Sequence, residues 1–365
     1  MPLSKIQGIN GQVTPNLGRR NLVINGDMQV AQRGTSSSSL GYQTVDRFSH
    51  NADRQQFVAT QEQSTDVPTG KGYTRSYKIT TTTPETTIDG NNYNTVRYIF
   101  EAQDLQHLCW GTSAAKSLSV SFWVKSSVTG TYVTSNYFYD PNRNITVPYT
   151  ISSANTWEYK TIVIPGDTGG TINNDNGAGL AIQFVLSAGP NYQGTVSTSW
   201  GSYVDARWGN GQTAQMMNVN GSTWAITGLQ VEVGDTATEF EHRSFDEELI
   251  LCQRYYQKSY VYETAPGTAT QHGSWSTGGH QGGTSTAYVE GVINFERLMR
   301  TTPTVTLYDH DGNSNKCARL STGVARYQNQ SISTSQLNAR GVTMYSTTGT
   351  AAGIVQGHYT VSAEL

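Results

Sequence analysis

The sequence predicts an all-β protein: a jelly-roll β-sandwich, then one linking helix, then a second small β-sandwich. Three observations carry this. Charged residues make up only 14% of the chain, against about 25% in ordinary soluble domains, and Ser, Thr, Asn and Gln stand in their place. Apolar and polar residues alternate with period two in several segments. No strand–helix alternation occurs, which argues against parallel α/β folds. At 365 residues the chain is too long for one ordinary core, since cores stop growing at about 250–300 residues. Two domains are therefore expected.

Residues 1–20 are a polar lead containing Gly8, Gly11, Pro15 and Gly18 and ending in Arg19-Arg20. They read as an extended arm with too few apolar residues to build a core. Residues 21–243 form the first domain. Leu118, Val120, Phe122 and Val124 alternate with Ser119, Ser121, Trp123 and Lys125, the period of a half-buried strand. Leu180 to Leu186 repeats the pattern, and Trp157–Ile164 and Trp224–Val233 add two strands closed by Pro165-Gly166 and Gly234-Asp235. Antiparallel strands separated by Gly- and Asn-rich turns fit a jelly roll. Ser244-Phe-Asp-Glu247 has the form of a capping box, and Leu249, Cys252 and Tyr256 recur at helical spacing. The linking segment 244–258 is thus predicted to be helical over 245–257. Residues 259–365 form the second β domain, with strand signals at 287–295, 304–308, 341–346 and 353–364.

Several function classes are set aside. A net charge of −3 supplies no electrostatic attraction for nucleic acid. No apolar run approaches the roughly 20 residues that span a bilayer, and the first residues lack the apolar core of an export signal. Cys109, Cys252 and Cys317 form no paired framework and read as buried free thiols. Gly209-Asn-Gly211-Gln-Thr-Ala214 fits a dinucleotide fingerprint only superficially, because no helix follows it. Asp309-His-Asp311-Gly-Asn313 hints at calcium, but its Gly and acidic positions do not match a calcium loop, and a hairpin turn accounts for it better. His272 and His280 share one loop and read as polar loop residues. No catalytic residue, metal site or cofactor is assigned.

The aromatics remain. The chain has 21 Tyr and 7 Trp, and Tyr192, Trp200, Tyr203 and Trp208 lie in one Gly/Ser-rich stretch. Tyr137, Phe138 and Tyr139 flank the turn at Asp140-Pro-Asn142. Sugar rings have apolar faces that stack on aromatic rings, while neighbouring polar groups bind the hydroxyls. Tyr192, Trp200, Tyr203 and Trp208 are therefore the candidate glycan contacts. Packing beneath a long loop or at a subunit interface is the plainer account of the same residues.

A family resemblance then enters. Asn21-Leu-Val-Ile-Asn-Gly-Asp-Met-Gln-Val-Ala-Gln-Arg-Gly-Thr35 with Val45-Asp-Arg-Phe48 resembles the opening of tailed-bacteriophage tail and appendage proteins. Gly228–Arg243 resembles the last strand of their carbohydrate-binding-module-like jelly roll, and Glu247–Tyr256 the helix that follows it. Met299–Thr306 and Gly357–Leu365 resemble their small C-terminal β domain. The resemblance implies a non-enzymatic virion structural protein, such as a tail fibre or receptor-binding appendage. It further implies a homotrimer docked to other virion proteins, here through the N-terminal arm, and contact with host-surface glycan. A capsid-decorating, head-fibre or connector protein without glycan binding is the alternative, and a polysaccharide depolymerase a more remote one. No heptad or collagen-like shaft is present, which weighs against a long fibre. Placement on the surface of a particle assembled in the host cytoplasm agrees with a charge-poor β composition that carries no export signal.

Overall fold

The structure, a computed structural model, describes residues 19–194, 198–277, 287–321, 326–348 and 353–365; the predicted arm therefore lies outside the described residues except for Arg19 and Arg20. The first domain contains strands β1 (Ser36–Ser37), β2 (Phe48–Asp53), β3 (Val58–Ser64), β4 (Ser76–Thr83), β5 (Tyr93–Glu101), β6 (Leu118–Ser126), β7 (Gly130–Phe138), β8 (Arg143–Ile151), β9 (Glu158–Ile164), β10 (Ala178–Ala188), β11 (Gly201–Ser202) and β12 (Thr223–Val233). They form two antiparallel sheets, ordered β1-β3-β4-β12-β6-β9 and β11-β8-β7-β10-β5-β2. The crossing of sequence neighbours between sheets is the jelly-roll arrangement.

The alternating residues explain the sandwich. Val120, Phe122 and Val124 of the first sheet meet Leu180, Ile182 and Phe184 of the second in one buried core, with Trp224 among them. Phe122 packs edge-on to Phe184, ring centroids 5.1 Å apart. Each sheet consequently turns one face inward and one outward, and the outward faces are where binding chemistry can be placed.

Helix α1 (Phe245–Cys252) carries the predicted capping box: Ser244 Oγ accepts from Glu247 N–H, and Ser244 N–H donates to Glu247 Oε2 at 2.8 Å. It ends five residues before the expected 257. Tyr256–Lys258 instead forms strand β13, pairing with Ser362–Thr360 of the last strand. The aromatic rings explain the early stop. The Arg47 guanidinium sits 3.4 Å from the Tyr255 ring centroid and that of Arg33 3.7 Å from Tyr256. These contacts and the strand ladder outweigh one further helical turn.

The second domain adds β14 (Trp275–Thr277), β15 (Ala287–Asn294), β16 (Thr304–Tyr308), β17 (Lys316–Ser321), β18 (Arg326–Ser331), β19 (Ser333–Asn338), β20 (Gly341–Thr348) and β21 (Gly353–Ser362). β21 is the spine, pairing with β13 and β14 on one side and β16 and β17 on the other. A three-stranded sheet, β15-β20-β19, completes the sandwich, with Ile293, Val342 and Met344 meeting Leu307, Tyr359 and Val361 in its core.

A buried charge cluster joins the domains. Arg47, fully buried, donates to the Ile99 carbonyl at 2.7 Å and pairs with Glu364. Arg33 bridges Glu364 and Asp46 at 3.1 and 3.4 Å. Arg254 grips Glu101 through two bonds of 2.7 and 2.8 Å. Asn21–Thr35 and Val45–Phe48 feed this seam: Asn25 N–H donates to Glu248 of α1, and Gln32 N–H to Asp46. Among the described residues, no helix is long and apolar enough to cross a membrane.

Candidate functional site

The outward face of the second sheet is built from rows of cross-strand neighbours: Arg97, Gln183, Ser135 and Thr146 in one row, Thr95, Val185, Val133 and Pro148 in the next. Much of this face is roofed by the chain itself. After β10 the chain over residues 198–212 folds back, adding β11 beside β8. Tyr203 N–H donates to the Asn142 carbonyl at 2.9 Å. Gln212 works on both sides, accepting from Val133 N–H at 3.0 Å and donating to the Val185 carbonyl at 3.1 Å. Trp208 sits beneath the roof on Val133, Val185 and Ala188, only 5% exposed.

The structure thus sorts the predicted aromatics. Tyr192, Tyr203 and Trp208 come together: Tyr192 lies 5.1 Å from Trp208, Tyr93 5.0 Å from Trp208, and Tyr203 packs against the same cluster. Trp200 does not join them. It packs on Trp110 and Phe138 at the edge of the main core, its indole N–H donating to the Pro165 carbonyl at 2.7 Å. Trp208 and Trp200 hold the roof and its margin, and their faces are engaged by protein.

Tyr203, Tyr137 and Tyr139 are half-buried and form a chain with centroid separations of 5.1 and 4.5 Å. Polar groups surround them. Arg97 Nε donates to Gln183 Oε1 at 3.0 Å. The Tyr203 hydroxyl donates to Asp205 at 2.9 Å and that of Tyr137 to Asn142 at 2.9 Å. Burial pushes the Tyr203 phenol above its usual range and the Asp205 carboxylate adds to this, so it stays a neutral donor. Rings beside an amide, a guanidinium and a carboxylate form a surface suited to a sugar. Tyr137 and Tyr139 are visible in sequence beside their turn. The Arg97–Gln183 pair depends on strand register and has no local signal.

The remaining motifs resolve as turns. Asp309 accepts from the backbone N–H groups of Asp311, Asn313 and Asn329 and from the Asn313 side chain, at 2.7–3.0 Å. Its carboxylate is occupied by N–H donors rather than turned out toward a cation. Burial alone would raise its pKa, but these donors hold it below the usual value. Gly209–Ala214 passes through the roof without opening a helix. His280 lies outside the described residues. Cys252 and Cys317 are buried free thiols, and Cys109 is a half-buried one. Among the described residues, no group of three or more His, Cys, Asp or Glu is placed to hold a metal ion.

No family model matches the chain, and no curated protein matches it. Solved structures of similar shape exist. The enzymatically active domain of tailspike protein 4 from bacteriophage CBA120 is 16% identical with a TM-score of 0.32, over 59% of this chain and 21% of that one. The family 11 carbohydrate-binding module of Lic26A-Cel5E from Clostridium thermocellum is 12% identical (TM-score 0.28, 58% of this chain and 99% of that one). The CBM22-1 xylan-binding domain of Paenibacillus barcinonensis Xyn10C is 8% identical (TM-score 0.27, 60% and 96%). The chain therefore spans about a fifth of the tailspike domain's length but corresponds to nearly the whole of each module.

Proposed function

We propose that this chain is a non-enzymatic structural component of a tailed-bacteriophage virion, an exposed appendage whose jelly roll meets host-surface glycan. The observation that carries the glycan reading is the run of half-buried rings Tyr203–Tyr137–Tyr139 beside Arg97 and Gln183. The virion reading is supported by the ordered resemblance of residues 21–35, 45–48, 228–243, 247–256, 299–306 and 357–365 to phage appendage proteins. A homotrimer docked through residues 1–20 completes the proposal.

A glycan array with purified oligomer tests it. Binding to a host polysaccharide that Tyr203→Ala weakens at least about tenfold is the expected result. Absence of binding to any host polysaccharide sinks the glycan role, and cleavage of a polysaccharide overturns the non-enzymatic assignment. One observation favours the purely structural alternative: Trp208 and Trp200, the largest candidate rings, are engaged in packing. Deleting residues 1–18 tests the dock. The shortened chain is expected to fold and oligomerise yet stay out of particles, and normal incorporation would refute docking through the arm. A monomeric mass for the full chain would remove the trimer.

A further inference from the structure

The first sheet's outward face carries a different arrangement. Its last strand, β12, breaks register between Thr227 and Gln230. Gly228 takes a positive φ of 62° there, and a Cβ at this position would lie 2.5 Å from the Tyr73 hydroxyl. Glycine is therefore required for the Tyr73 ring to rest on the strand backbone. Beyond β12 the chain doubles back over the sheet as a strap, residues 235–241. Two buried side chains pin it. Glu232 accepts from Thr238 N–H at 2.9 Å and from its hydroxyl at 2.6 Å. Gln230 donates to the Glu239 carbonyl at 3.1 Å and accepts from Glu241 N–H at 2.7 Å.

Between strap and sheet lies a groove of about 520 Å³, within the size range of small-ligand sites. One wall is the cross-strand pair Trp123 and Tyr159, centroids 5.4 Å apart, with Tyr159 46% exposed. The other is Tyr73, Phe240 and His242, packed at 4.9–5.6 Å. The Lys71 ammonium lies 5.5 Å from the Trp123 ring centroid. Ser121, Thr238 and Glu239 also line the groove. An enclosed apolar pocket would suit a hydrophobic side chain. Here aromatic faces alternate with hydroxyl, carboxylate and ammonium groups, the lining that suits a molecule with flat C–H faces and a rim of hydroxyls.

We infer that this groove is a second glycan subsite, on the sheet opposite Tyr203, and that it takes a short pyranose oligosaccharide stacked on Trp123 and Tyr159. Its support is independent of the Tyr203 cluster. The test is ¹⁹F NMR of the full chain labelled with 5-fluorotryptophan, the Trp123 resonance being assigned by Trp123→Phe. The probes are cellohexaose, xylohexaose, mannohexaose and maltohexaose. A saturable shift of the Trp123 signal with at least one probe is expected. Tyr159→Ala should weaken that binding at least about tenfold, and Tyr159→Phe, which keeps the ring, should restore it. A Trp123 signal unmoved by every probe up to about 5 mM, or a shift indifferent to Tyr159→Ala, overturns the inference. Neither result bears on host-glycan binding at Tyr203, which the array reports separately.

Discussion

The two outward faces of the first sandwich treat their aromatics in opposite ways. On the second sheet the chain over residues 198–212 closes down and turns Trp208 into a buried prop. On the first sheet a strap of only seven residues, 235–241, stands off the surface and leaves Trp123 and Tyr159 lining an open groove. The same residue types are thus structural on one face and available on the other. Composition alone cannot tell them apart; what covers each ring decides.

The sharpest way to break this comparison is to remove one ring from each face. Trp208→Ala is expected to cost about 3–5 kcal/mol, the range for deleting a large buried aromatic. Tyr159→Ala should cost under about 1 kcal/mol, as a surface change. Urea unfolding of both variants measures the difference, and equal losses would show that the two faces are packed alike.

Acid should find a weakness beneath the second sheet. His50 on β2 is fully buried, with Nε2 2.7 Å from Asn94 Oδ1. Burial lowers its pKa to about 4, with the nearby Arg54 charge acting in the same direction. The folded pKa lies below the unfolded value of 6.5. The resulting stability is thus fully present above pH 6.5 and is lost as pH falls toward 4. The loss attributable to this group is about 3 kcal/mol. Unfolding free energies of wild type and His50→Gln across that window should converge on a shallower slope in the variant.

Releasing the strap has a smaller effect. Gln230→Ala removes its bonds to Glu239 and Glu241 and leaves the half-buried Glu241 N–H without this partner, costing about 1 kcal/mol. Hydrogen exchange should report faster exchange at Glu241 N–H, with the roof over residues 203–212 unchanged. The smallest effects are on binding itself. Tyr203→Ala and Trp123→Ala should each weaken their own glycan at least about tenfold, or about 1.4 kcal/mol, while leaving the melting temperature within a few degrees.

The strands legible in sequence were those with apolar inward positions, such as Leu118–Val124 and Leu180–Leu186. β7 was silent because its inward positions include Thr134 and Asn136, which are buried but paired: Asn136 donates to the Thr134 and Ile145 carbonyls. Local polarity hid a burial that only cross-strand partners permit. The capping box marked where α1 starts. Its end was set by β21, more than 100 residues downstream, and by arginines from the first domain. Tyr192, Tyr203 and Trp208 were found as a cluster because they are close in sequence. Trp200 shares that stretch but faces the opposite edge. The groove was missed because Tyr73, Trp123, Tyr159 and Phe240 come from four distant segments, joined only by the register of β6 with β9 and the bulge at Gly228. Trp123 read merely as the outward position of an alternating strand.

The central claim is that this protein is an exposed part of a phage particle. Labelling intact, purified particles with an antibody to the second domain, and counting copies by quantitative mass spectrometry, tests it directly. Label on an exposed tail or head surface, at a copy number divisible by three, is the predicted result. Particles that carry none of this chain would contradict the account.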